Sequence, residues 1–141
     1  MRNIYSLFFA LLLIMLCQCR NKEALVISND SNGSIYYFYS PAPYVRPIDS
    51  LFLGGLQLKK LDTLSYNGRI PPKTIMELPL FGSWEKLIDE EYGGKITFFF
   101  FSVPTLRNHT WNEIVNRQLY ESKKTFTSED LKKLNWKIGY P

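Results

Sequence analysis

The chain has 141 residues, 17 Lys and Arg against 13 Asp and Glu, a formal charge of +4 and two cysteines. That length holds one domain and hardly two, and 45% apolar with 16% aromatic residues excludes general disorder. With 21% charged residues and no dominant sign, a nucleic-acid binder built on a basic face is excluded as well.

The first element in chain order is an export signal. Arg2 and the amino terminus give a short positive start, and Leu7 to Leu16 are apolar without interruption. A spanning helix needs about 20 apolar residues to cross roughly 30 Å of hydrocarbon, so this shorter run reads as a secretory h-region to be left out of the fold. It stops at Cys17-Gln18-Cys19-Arg20, and a thiol directly after an h-region resembles the lipobox of bacterial lipoproteins. In that pattern a Leu precedes two small residues and the cysteine that receives the acyl chains. Cys19 fits with Leu16 at −3 and Cys17 at −2, while Gln18 at −1 departs from it. Cys17 is the alternative, with the larger departure of Leu16 at −1; an ordinary signal peptide is the other reading. The expected organisation is a signal over 1–18, a polar tether over 19–24 and one domain over 25–141. With Cys19 as the mature terminus no second thiol remains, and disulfides, thiolate nucleophiles and cysteine-based metal sites drop out together.

Leu25-Val26-Ile27 is a brief strand run closed by the turn-rich 28–33, and Ile35 to Tyr39 reads as a second strand, so the two are expected to pair as a hairpin. Pro41, Pro43 and Pro47 make the next stretch a loop. From Asp49 to Arg69 the leucines fit no single period, Pro71-Pro72 is a stop, and Thr74 to Leu78 reads as a third strand. Ser83 is placed to cap a helix with Trp84, Leu87, Ile88 and Tyr92 on one face, ended by Gly93-Gly94. Lys95 to Val103 then holds four consecutive phenylalanines, which put apolar groups on both faces of a pleat and so predict a central strand covered on both sides. Residues 102–110 read as a connecting loop. Thr110-Trp111-Asn112-Glu113 has capping-box form, and Tyr120 to Phe126 alternates like an edge or half-buried strand. Thr127 or Ser128 caps a last short helix, and Trp136 to Tyr140 ends as a strand. This order predicts a single small α/β domain, α+β being the other option, with a mixed sheet whose Phe-rich central strand is flanked by short helices.

The last 32 residues, TWNEIVNRQLYESKKTFTSEDLKKLNWKIGYP, resemble a family of small lipoproteins from Bacteroides-type bacteria. The matching residues are Ile35 to Ser40, Asp49-Ser50-Leu51, Trp111, Ser128 to Leu131, Leu134-Asn135-Trp136, Ile138 and Tyr140-Pro141. The resemblance implies location and anchoring rather than an activity. Such bacteria O-glycosylate exported proteins at Asp-(Ser/Thr)-apolar triplets, which makes Ser50 and Thr63 the expected positions in Asp49-Ser50-Leu51 and Asp62-Thr63-Leu64.

The chemical inventory is thin. His109 is the only histidine, and no Gly-x-Ser-x-Gly elbow or phosphate-binding glycine spacing is present. In open α/β sheets ligands gather beyond the carboxyl ends of the strands, so Arg107, Asn108, His109 and Thr110, just past the Phe strand, are the expected ligand site; the bland alternative is a polar connection with a helix cap. Asp89-Glu90-Glu91 points around a helix and reads as a solvated run, and the Lys pairs at 59–60, 123–124 and 132–133 are dispersed. Trp84, Trp111 and Trp136 read as core. No metal, cofactor or catalytic set is expected.

These residues predict an envelope lipoprotein held to a membrane through its lipid, with an envelope protein or glycan as partner and no nucleic acid. Arg20 is not the aspartate that marks inner-membrane retention, and no acidic export run follows, which favours the outer membrane facing the periplasm. The alternatives are a small hydrolase or transferase using His109 with Ser102, Thr105 or Glu113, and an inhibitor or immunity-type lipoprotein.

Overall fold

The computed structural model describes residues 24–51, 68–78, 80 and 82–141. They form one small α+β domain with two sheets. Strands β1 (Leu25–Asn29), β4 (Thr74–Leu78) and β7 (Lys137–Tyr140) make a mixed sheet in the order β4-β1-β7, antiparallel on one side of β1 and parallel on the other. Strands β2 (Ile35–Ser40), β3 (Arg69–Ile70), β5 (Ile96–Ser102) and β6 (Ser122–Phe126) make an antiparallel sheet in the order β3-β2-β5-β6.

The Phe strand is central, and the pleat explains why. Phe98 and Phe100 point into a core shared with the first sheet, among Leu25, Ile27, Leu78 and Ile138. Phe99 and Phe101 point the other way, onto Leu106 and Ile114 of two helices and Val45 of the proline loop. All four rings are fully buried. Strand β2 obeys the same alternation, with Ile35, Tyr37 and Tyr39 on the first face and Tyr36 and Phe38 on the second. The Phe-rich sheet is therefore the middle layer, between the small sheet and the helices.

The expected hairpin of β1 with β2 does not form. The turn at 30–34 carries the chain between layers, because Leu25 and Ile27 must cover one face of the second sheet rather than extend its edge. Asn29 fixes this crossing. It is fully buried, and its amide donates to the carbonyls of Gly33 (2.8 Å), Ile70 (3.1 Å) and Pro71 (2.9 Å) while its Oδ1 accepts from Ser31 N and Oγ.

Helix α1 (Trp84–Lys86) continues as a π turn (Leu87–Glu91) and buries Trp84 and Ile88 as the spacing predicts. Ser83 holds the cap position, yet its side chain makes no cap hydrogen bond. The turn ends at Gly93 and Gly94, both at positive φ (68° and 89°), with Gly94 N donating to Ile88 O. Helix α2 (Val103–Asn108) replaces the expected loop: Ser102 caps it through Thr105 N, and Pro104 is tolerated in the first turn, where no intrahelical donor is needed. Helices α3 (Trp111–Arg117) and α4 (Ser128–Lys133) both carry complete capping boxes, Thr110 with Glu113 and Thr127 with Asp130. Asn135 and Trp136 then take positive φ in succession (51° and 57°), and the buried Trp136 indole N–H has no partner among the described residues.

Burial pushes the Tyr37 phenol up to about 12, with a smaller contribution from Tyr39; burial also raises Tyr39, Tyr92 and Tyr140. The folded value of Tyr37 lies above its ordinary 10.0, so this contribution is complete below pH 10 and lost as pH rises towards 12. At about 1.4 kcal/mol per unit it amounts to roughly 2–3 kcal/mol. Urea unfolding across that window is expected to show Tyr37→Phe losing less stability than the parent chain; an unchanged pH slope would refute the assignment.

Candidate functional site

The carboxyl end of β5 leads into a corner built by α2, α3 and the start of β6. Because β6 runs antiparallel to β5, the residue just ahead of it returns to Ser102. That residue is Glu121. Its Oε1 accepts from Ser102 Oγ (2.7 Å) and Thr105 Oγ1 (2.6 Å), and the two hydroxyl oxygens are 3.0 Å apart. The two hydroxyl donors, Thr105 first, hold the Glu121 carboxyl below its ordinary value despite some desolvation. A carboxylate made less basic in this way is a weak general base at neutral pH.

The expected ligand residues occupy the connection between α2 and α3. Arg107 and Asn108 are exposed on the last turn of α2, half-buried His109 follows, and Thr110 caps α3. Thr110 is consumed by its cap: its N–H donates to Glu113 Oε2 (2.7 Å) and its Oγ1 receives Glu113 N. The Thr110 N–H, and after it the Thr110 hydroxyl (3.0 Å), donate to the Glu113 carboxylate and hold it low, with a smaller contribution from His109. Among the described residues, no hydrogen bond joins His109 to Ser102, Thr105 or Glu113. The polar groups that hydrolysis would require therefore lie in two separate clusters, Ser102–Thr105–Glu121 and Thr110–Glu113, rather than in one relay.

A second polar feature sits on the proline loop. Asp49, in the 3₁₀ turn Pro47–Leu51, is fully buried and accepts from Arg46 N (2.7 Å) and from the guanidinium at Nη2 (2.8 Å) and Nε (3.1 Å). Tyr44 and Tyr92 lie within electrostatic reach of that guanidinium. Gln118, at φ 52°, holds the loop like a strand partner, accepting from Val45 N (2.8 Å) and donating to Val45 O (3.0 Å). Trp111 Nε1 donates to Pro47 O (3.0 Å). The loop is thus tied to α3 at several points, while Tyr44 and Ile48 remain 55% and 60% exposed.

In the first expected glycosylation triplet, the Asp49 carboxylate faces Arg46 and Ser50 follows it in the turn. Thr63, Cys17 and Cys19 lie outside the described residues. Trp84 and Trp136 are core residues, and Trp111 packs partly buried against the second core. Glu121 and the Arg46–Asp49 pair escaped the sequence reading: the first becomes visible only with the β5–β6 register, the second only once the loop folds back. No group of three metal-ligating side chains occurs among the described residues. Comparison with protein-family models, curated proteins and solved structures finds no match to this chain.

Proposed function

We propose that this protein is a lipid-anchored envelope protein, held at the outer membrane facing the periplasm, which works as a non-catalytic binding or accessory module. The observation that carries the reading is the spacing of anchor and fold. The apolar run ends at Leu16, Cys19 follows three residues later, and β1 opens at Leu25, six residues beyond that cysteine. Three acyl chains on Cys19, at about 0.8 kcal/mol per buried CH₂, would hold such a domain firmly. An accessory role is supported by the polar corner, whose hydroxyls and carboxylates are engaged in helix caps and in one another. The partner chemistry it fits is an envelope protein or glycan.

Intact mass of the membrane-extracted protein tests the reading, with Cys19→Ala and Cys17→Ala beside the parent chain. The expected mass is that of residues 19–141 plus acyl chains, lost in Cys19→Ala and retained in Cys17→Ala. A soluble parent chain without acyl chains would overturn it.

A further inference from the structure

We infer that the outer face of the small sheet is a docking surface for a second copy of this chain, paired about a two-fold axis. The inference stands independently of the anchor proposed above. Alternation divides the side chains of β4, β1 and β7 between two faces. Leu25, Ile27, Leu78 and Ile138 turn inwards to the core shared with the Phe-rich sheet. Val26, Ser28, Ile75, Glu77, Lys137 and Gly139 turn the other way, and the registers set them in two rows across the sheet, Glu77–Val26–Lys137 and Ile75–Ser28–Gly139. A Cβ built on Gly139 would come 3.6 Å from Ser28 Oγ, as expected of neighbours on one face. Among the described residues no element covers these rows. Ile75 is 73% exposed, Glu77, Lys137 and Gly139 are exposed, and Val26 and Ser28 on the central strand are half-buried.

The two rows are complementary to themselves, which an isologous contact requires. When a second copy is turned over about an axis along β1 and laid face to face, Glu77 lies opposite the partner's Lys137, and Lys137 opposite the partner's Glu77. Val26 meets its own counterpart, and so does Ser28. In the second row Ile75, the large exposed side chain, meets the partner's Gly139, the position with no side chain to displace it. Neither Glu77 nor Lys137 has an ion pair among the described residues. On one chain β1 separates the two by a pair of strand spacings, about 9–10 Å, so each charge is left for a partner across the face.

Extension of the sheet through its β7 edge is blocked. Trp136 O and Tyr140 O accept from the β1 side, so Gly139 O points to the free edge, where the Lys124 ammonium donates to it. The face is what remains open. Its footprint is three strands about 4.8 Å apart by five residues at about 3.4 Å, well under the roughly 800 Å² per partner of a standard interface. The pair is therefore a reversible one, and the charge register rather than apolar area specifies it.

The test uses the full chain, concentrated in detergent under reducing conditions as an equal mixture of ordinary and heavy-nitrogen-labelled protein. A carbodiimide then joins carboxylates to amines that are in contact. The expected product is a dimer in which Glu77 of one isotope is linked to Lys137 of the other. Glu77→Lys and Lys137→Glu, both at exposed positions, set like charges opposite each other, and each alone is expected to weaken pairing by about tenfold or more in native mass spectra. Mixed in equal amounts, the two variants regain opposite charges at both contacts, and a dimer holding one of each is expected to return. Urea unfolding of each variant, expected to match the parent, separates lost pairing from lost folding. Links confined to one isotope, a dimer joined through other residues, variants that pair as well as the parent, or a mixture that stays monomeric would each overturn the proposal. So would a parent chain monomeric throughout, which would leave the face to an unlike partner.

Discussion

Phe99→Ala is expected to cost about 3–5 kcal/mol of unfolding free energy, a large part of what a domain of this size possesses. Phe99 is fully buried in the middle layer, stacked on Phe38 at 5.0 Å and edge-on to Tyr120 at 5.5 Å. Truncation would leave a ring-sized void between β2, β5 and the helical layer, where both strands are fixed on their other face and cannot collapse into it. Phe99→Leu keeps most of the volume and is expected to cost far less, about 1 kcal/mol. Urea unfolding with an unchanged m-value would measure both; a loss below about 1 kcal/mol for the alanine variant would mean that the layer repacks and is not the rigid centre described.

Asn29→Asp tests the corner between the sheets. The asparagine amide faces three carbonyl oxygens at 2.8–3.1 Å, and an aspartate would turn an oxygen towards them. A buried carboxylate against three acceptors is expected to cost about 3–5 kcal/mol at neutral pH, and Asn29→Ala about 1–3 kcal/mol. The aspartate would titrate above its ordinary value in the folded state, so the variant is expected to bind more protons folded than unfolded. Its stability would fall as pH rises through about 4 and level off only above the raised folded value. A variant that gained stability over that range would show that the side chain had turned out into water.

Much of this fold is legible in the residues because local chemistry and tertiary demand agree. The four phenylalanines announce a strand buried on both faces, Thr110–Glu113 spells out its cap, and the mixed polarity of Ser122 to Phe126 matches an edge. The last cap, at Thr127, closes on Asp130, a shorter acid than the usual box residue. What stays hidden is pairing. Turn residues at 28–33 signal a reversal, but a period of two says nothing about whether the returning strand joins the same sheet or the next layer. Strand β3 has only two residues ahead of Pro71-Pro72, too few to show alternation. Helix α2 was masked by Pro104, which reads as a breaker until Ser102 is recognised as its cap. The expected ligand residues do cluster along the sequence, yet Thr110 belongs to a cap and the densest hydroxyl–carboxylate group forms around Glu121, which only strand register brings near.

The parallel pairing of β1 with β7 sets the order in which the small sheet can be completed. Val26 waits for Lys137 and Asn29 for Tyr140, a loop closure over more than a hundred residues that helices and hairpins cannot anticipate. Until 137–140 have been synthesised, β1 lacks one of its two neighbours, and the inter-sheet core lacks Ile138. The four-stranded sheet can pair without residues 137–140, so the small sheet is the layer completed last, and the inter-sheet core closes only with it.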